Sequence, residues 1–286
     1  MFTLREYEGP VELAAMQSLA SRVAAVAGFR HPGDLAWAAA LGQECRTAVW
    51  RAGTRTVAWA WLTDELAAQV DPEHPPLAEE VLDWADAARV EACSAEKPLV
   101  DALRRRGFEP EPGAFMVAMN RPLRGLPTLA GLPAGYHIRP SADPVRRAAA
   151  HRAAFGSARM STERQVALTR RAPYRDDLDL VVENAAGEYV AYCLGWYDEA
   201  TRLGEIEPLG VRPEHRRRGL GAAVSLAVLH ALAAAGATRC LVYARGDQAH
   251  PAPKALYESL GFARHALVHT YVLRGADARI AGGGAG

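Results

Sequence analysis

From Cys45 onward the hydrophobic pattern switches repeatedly between two periods. Residues 45–52 and 54–63 read as apolar strands joined by Gly53 at a tight turn, and residues 66–70 as a third strand. After the polar break Asp71–Pro76, the positions of Leu77, Val81, Leu82 and Trp84 roughly follow helical spacing and predict a helix over 77–88. Residues 89–95 predict a strand, 97–106 a helix with Gly107 at its C-cap, and 114–123 a closing strand. Residues 124–135, RGLPTLAGLPAG, carry neither period and are rich in Gly and Pro, the composition of a linker.

Beyond the linker the same order returns. A short strand at 135–140 precedes two helices, 143–155 and 161–171. Residues 178–184 and 189–198 form a hairpin across Ala185, Ala186 and Gly187. A strand at 204–211, a long helix ending on Gly236, a strand at 238–244, a helix at 253–260 capped by Gly261 and a strand at 265–273 complete the pattern. The last residues, 275–286, are too poor in apolar side chains to order themselves.

Two landmarks recur. Val70-Asp71-Pro72-Glu73-His74 mirrors Val211-Arg212-Pro213-Glu214-His215, 141 residues later, and Gly107-Phe108 mirrors Gly261-Phe262, 154 residues later. The longer helix after Gly219 accounts for the extra residues. The chain is expected to hold two homologous domains, 1–123 and 136–274, with 124–135 as linker and 275–286 as tail.

Composition narrows the function. Thirty-three basic residues balance 33 acidic ones, and the dense basic run Arg216-Arg217-Arg218 is only three residues long, so no phosphate-neutralising stripe for nucleic acid is expected. No uninterrupted apolar run of about 18 residues predicts a membrane span. The N-terminus lacks the basic and apolar regions of a signal peptide, which makes the cytoplasm the expected location. The four cysteines stand alone in strand-like surroundings, without CxxC or Cys/His metal spacing, and read as reduced thiols; no metal is expected.

The chemistry concentrates at Val211–Ala222. An apolar strand ends at Val211, a loop carries three arginines, Gly219 and Gly221, and an Ala/Leu/Val-rich helix begins at once. Glycines allow close backbone approach, and a helix N-terminus presents unpaired N–H groups and partial positive charge to a diphosphate. The loop is not a Walker A motif, since no Gly-Lys-Ser/Thr follows, and not a dinucleotide fingerprint, since GxGxxG fails at Val224. A Gly-containing turn with solvated arginines is the bland alternative.

The junction resembles the cofactor motif of the GNAT superfamily of N-acetyltransferases, (Arg/Gln)-x-x-Gly-x-(Gly/Ala), matched by Arg216, Gly219 and Gly221. The family's second landmark, a short helix with Leu-Tyr ending in Gly-Phe, is matched by Leu256-Tyr257 and Gly261-Phe262. The resemblance implies an α/β fold of two tandem GNAT-like domains, each a mixed, mostly antiparallel twisted sheet flanked by helices. It implies acetyl-CoA as co-substrate, its pantetheine pairing with Leu209, Gly210 and Val211 and its diphosphate held by amides of Arg217, Arg218, Gly219, Leu220, Gly221 and Ala222. The acceptor is then a primary amine of a small molecule or peptide, and the protein a monomer or homodimer. The first copy has Pro75-Pro76-Leu77-Ala78 where the second has its cradle, and Leu103 where the second has Tyr257. Its expected role is structural or substrate-shaping.

Direct attack on a thioester needs a neutral amine, a base for its proton and an acid for the leaving thiolate. The resemblance assigns the acid to Tyr257. Glu205 and Glu207 are the candidates for the base, and alternation places both on one face with Leu209 and Val211. Each is equally readable as a salt-bridged carboxylate or as a group that binds the substrate's ammonium. His250 stands where many relatives have Asn, to hydrogen-bond the cofactor or to face solvent. Trp196 and Tyr197 either line the acceptor pocket or fill the core. A catalytically silent acyl-CoA sensor is the alternative function, one that needs the cradle but neither Tyr257 nor an acidic base.

Overall fold

The computed structural model describes residues 2–9, 11–25, 30–129 and 131–273. The proposed tail at 275–286 lies outside these residues. The segment ahead of Cys45 forms β1 (Phe2–Glu8), α1 (Leu13–Val23) and α2 (Pro32–Ala40). Then follow β2 (Arg46–Ala52), β3 (Arg55–Leu62), β4 (Leu66–Val70), α3 (Leu77–Ala85), β5 (Arg89–Cys93), α4 (Lys97–Arg105), β6 (Phe108–Pro110) and β7 (Met116–Pro122). The second half comprises β8 (His137–Pro140), α5 (Pro144–Phe155), α6 (Thr162–Thr169), β9 (Asp179–Glu183), β10 (Tyr189–Asp198), β11 (Leu203–Val211), α7 (Leu220–Ala235), β12 (Arg239–Arg245), α8 (Pro251–Ser259) and β13 (Ala263–Leu273). Helix α3 stops short of the expected 88 because Asp86 turns to φ 45° and its N–H closes on the Leu82 carbonyl.

All these strands join one mixed sheet, in the order β1-β2-β3-β4-β5-β13-β7-β12-β11-β10-β9-β8, with β6 beside β13. Pairing is antiparallel except at β4/β5 and β11/β12, the two places where a helix, α3 or α7, carries the chain back across the sheet. These equivalent crossovers are the structural form of the repeat seen in the sequence.

The halves trade their closing strands. β7 lies between β12 and the first part of β13, pairing Met116–Pro122 with Arg239–Arg245 on one side and Met116–Asn120 with Ala263–Val268 on the other. The second part of β13 runs between β5 and β6. Each half therefore fills a gap in the other. Tyr271, from the end of the chain, is buried in the first half's core with Leu99, Leu103 and Phe108, and Val117 and Met119 are buried in the second half's core.

Helix α7 covers one face of the second half. It packs so closely that a Cβ on Gly195 would come within 2.6 Å of Val228 Cγ1. The opposite face is covered by α5, α6 and, from the first half, α2: Ala36, Trp37 and Ala40 share a core with Ala148, Met160, Leu168, Leu194 and Trp196.

Because its core is built from both ends of the chain, the protein is expected to unfold as one unit. Replacing Tyr271 with Ala removes a buried aromatic and should cost about 3–5 kcal/mol. Equilibrium urea unfolding, followed by fluorescence and far-UV circular dichroism, should keep a single transition at lower urea. A separate early transition confined to the first half would contradict the strand exchange as a coupling device.

Candidate active site

Strands β11 and β12 pair only from Leu203/Arg239 to Ile206/Val242. On its other edge β11 stays paired with β10 as far as Val211/Ala191, with a bulge: Cys193 opposes Leu209, whereas Gly195 opposes Ile206. The Glu207 carbonyl at the bulge accepts a 2.6 Å hydrogen bond from Trp196 Nε1. Beyond Ile206, β11 thus leaves β12, and the backbone edge of residues 207–211 that would continue the ladder faces a gap. The bulge also corrects the expected alternation. Leu209 and Val211 pack on the core beneath α7, while Glu205, opposite Trp196, faces α2.

The gap ends at the α7 N-terminus. Arg217 (φ 63°) and Gly219 (φ 76°) both adopt left-handed backbone, costly for a side chain with a Cβ and natural for glycine. No side chain caps α7, and residues 216–219 are exposed, so its first amides are open to an anion. Gly221 fits against Val211, whose Cγ2 would be 3.3 Å from an added Cβ. Leu220 and Ala222 complete the first turn. Arg216 reaches back to the carbonyls of Val211 (3.1 Å) and Ala154 (2.8 Å), and so braces the loop. Arg218 donates to the Tyr136 hydroxyl at 3.0 Å. Gly210 sits against the Tyr192 ring, where a Cβ would come within 2.6 Å.

Tyr257, on α8, is 5% exposed and packs edge-to-face on Phe262. Burial, with Cys193 and Glu207 nearby, pushes its phenol well above its ordinary pKa, so the hydroxyl keeps its proton. His250 precedes α8 at an exposed position and pairs with Asp247 at 3.1 Å.

Residues 149–262 match the model of the acetyltransferase (GNAT) family. Residues 149–262 thus form a GNAT-family domain. Curated relatives include the mycothiol acetyltransferases of Streptomyces coelicolor, 30% identical over 51% of this chain and 49% of that protein, and of Gordonia bronchialis, 44% identical over 25% and 22%. The chain thus spans about half the length of the curated relatives it matches, or less. Among solved structures, a tandem GNAT protein from the clavulanic acid biosynthesis pathway superposes with TM-score 0.61 over 94% of this chain and 98% of that one, at 16% identity. A GNAT-family acetyltransferase of Colwellia psychrerythraea gives TM-score 0.64 over 95% and 100%, at 12% identity. These likenesses establish the fold, including its tandem arrangement.

Within this GNAT frame the two acidic candidates differ. Glu205 has no exposed surface and lies 3.4 Å from Nδ1 of His31, a residue of the first half. Burial, then the charges of Asp34 and Glu207, raises its carboxyl well above the usual range. His31 Nδ1 accepts from the Gly33 amide at 3.0 Å, which leaves Nε2 to donate to the Leu203 carbonyl at 3.1 Å. Burial holds this imidazole neutral, with its pKa lowered to about 4. Glu207, at the bulge, is only partly buried, and burial and Asp34 raise it to about 8. Glu207 is thus a carboxyl group raised to about 8, and Tyr257 a phenol that keeps its proton.

Sequence reasoning missed the residues contributed by α2, His31 and Asp34. Their one local signal is a helix start, Pro32 at the first position behind an N-capping side chain. It also missed a buried group behind β10: Arg147 pairs with Asp179 at 2.9 Å and stacks on Tyr192, whose hydroxyl is 2.7 Å from His151 Nδ1. Trp196 and Tyr197 are both buried, Trp196 under α2 and Tyr197 on the α7 side. The three ligand-type side chains of Asp71, Glu73 and His74 lie within 4.8 Å of one another, but Arg22 and Arg55 already pair with the two carboxylates. The described cysteines are free thiols, and no helix among the described residues is long and apolar enough to cross a membrane.

Raised carboxyl pKa values make the folded state bind more protons than the unfolded chain. Stability from Glu207 is therefore fully present below its unfolded pKa and is lost as pH rises through about 8. Thermal unfolding should show Glu207→Gln more stable than the parent at pH 8.5 and little changed at pH 4.5. An equal effect at both pH values would refute the raised pKa.

Proposed function

We propose that the chain is an acetyl-CoA-dependent N-acetyltransferase acting on a primary amine of a small molecule or peptide, by direct attack in a ternary complex. The observation that carries this reading is the gap between β11 and β12, closed at one end by the uncapped N-terminus of α7. Pantetheine pairs with the free edge at Leu209, Gly210 and Val211, as an added strand would. The diphosphate lies on the amides of residues 217–222. Arg216 and Arg218 hold the loop, and His250 borders the cofactor.

Glu207 is the general base. A carboxylate with a pKa near 8 takes a proton from an ammonium far better than an ordinary glutamate, and Glu207 is half-buried where Glu205 is sealed. The freed amine attacks the thioester carbon, the C–N bond forms, and the C–S bond then breaks. Tyr257 gives its proton to the departing sulfur. Glu205, fully buried against His31, has a structural role in this reading. The pairing of a titratable acid with a protonated phenol favours an enzyme over an acyl-CoA sensor. The names of the curated relatives support acetyl transfer, and the proposed setting is the cytoplasm, without nucleic-acid or metal partners.

Thiol release from acetyl-CoA against a panel of amines tests the proposal: steady turnover is expected, and binding without turnover would instead mean a sensor. Tyr257→Phe and Glu207→Gln should each lower kcat by roughly 10²-fold or more, while Glu205→Gln should retain kcat within about 10-fold. The reverse ranking of the two glutamates would overturn the base assignment. Calorimetry should show Gly219→Val weakening acetyl-CoA binding by roughly 10-fold or more, because a β-branched residue resists the left-handed turn that aims the amides.

A further inference from the structure

We propose that the first half of the chain positions the cofactor edge of the second through Trp196: α2 seats the indole, and the indole holds the bulge at Glu207 from which the unpaired edge of β11 begins. Trp196, with no exposed surface of its own, is a positioning residue, and α2 is the element that sets it. This deepens the acetyltransferase reading and rests on it for the identity of the ligand.

The seat is made by small residues. Gly33 lies on Trp196 with no room for a side chain: an added Cβ would come within 2.1 Å of the indole Cγ and 2.4 Å of the Trp196 Cβ. Ala36 and Ala40 bury into the same core as Trp196. Positions 33, 36 and 40 recur at helical spacing, so one face of α2 is stripped of bulk where it meets the indole. Tyr174 meets the ring edge-on, with centroids 6.2 Å apart. Held in this way, the indole spends its single polar group on one acceptor, and Nε1 donates to the Glu207 carbonyl at 2.6 Å.

A second tie runs from the same helix start to the same strand. His31, buried, accepts from the Gly33 amide and donates from Nε2 to the Leu203 carbonyl at 3.1 Å. Gln17 of α1 steadies this turn, donating to the Pro32 and Ala172 carbonyls at 2.8 Å each. The two held carbonyls flank the ladder between β11 and β12: Leu203 opens it, and Glu207 follows its last residue, Ile206. The first half therefore grips β11 at both ends of that ladder, directly at Leu203 and through the indole at Glu207. A bulge bends its strand and interrupts the regular pairing, so a hydrogen bond from a ring packed on all sides fixes the direction of the chain there. Leu209, Gly210 and Val211 follow within four residues, and their reach toward the first turn of α7 depends on that direction.

Calorimetry with CoA, and residue-resolved amide exchange in the ligand-free protein, test this on the full chain. Trp196→Phe keeps an aromatic ring under Gly33 and loses the N–H. It should weaken CoA binding by roughly 10-fold, about the loss of one main-chain hydrogen bond to an added strand, and speed exchange at 209–211 more than at 203–206. Gly33→Ala alters only the first half and should do the same by displacing the indole. The double variant should bind no more weakly than Trp196→Phe alone, because both changes act through one hydrogen bond. Ala36→Val, which crowds the same core one turn on, replaces Gly33→Ala if that variant does not fold. Trp37→Phe removes bulk from that core and leaves the Trp196–Glu207 bond in place, so it should keep the parent's CoA affinity. Parent-like affinity and exchange in both Trp196→Phe and the α2 variant overturn the proposal. So do losses that add in the double variant, or a loss in Trp37→Phe equal to that in Trp196→Phe. A parent protein that binds no CoA would instead defeat the acetyltransferase reading, and exchange at 209–211 would still decide whether α2 and Trp196 hold the bulge.

Discussion

The site depends on a ladder that stops. β11 and β12 share four residue pairs and then part, and the opening is bordered by the edge of residues 207–211 and by the first turn of α7, where Gly221 fits against Val211. β11 stays in the sheet through its other edge, paired with β10 and held by Trp196 at the bulge. β12 stays in it through β7, which pairs with it along its whole length. The facing edges of β11 and β12 are what the opening leaves without a ladder partner.

The support of β12 by β7 gives the exchanged closing strands a physical role. β7 belongs to the first half by sequence and braces the far side of the opening in the second. β13 returns the arrangement by filling the space between β5 and β6. The first copy, with prolines in place of its cradle and Leu103 in place of the tyrosine, keeps the elements that build sheet and core. It supplies β7 to one side of the site and α2 to the face that carries Glu205. Loss of its own ligand-binding features leaves both contributions intact.

The legible parts of the sequence were those governed by local rules. Hydrophobic period found the strands and helices after Cys45, and the glycines at 219 and 236 marked the ends of α7 because left-handed backbone selects them. The three-residue β6 was too short to show a period. The strand exchange was not legible because β7 and β13 have the same apolar pattern whichever half they enter. The bulge was hidden for a related reason: Glu205 and Glu207 alternate correctly with Leu209 and Val211, and only the pairing register reveals the added residue. His31 and Asp34 lie more than 170 residues from Glu205 and Glu207, in a segment with no catalytic motif, so their place at the site is a property of tertiary packing.

The central claim is that the free edge of β11 and the first amides of α7 receive one ligand together. Amide hydrogen exchange, resolved by residue with and without saturating acetyl-CoA, measures those groups themselves. The account predicts slowed exchange at both 209–211 and 217–222 when acetyl-CoA is present. Unchanged exchange at both segments under saturating acetyl-CoA would contradict it.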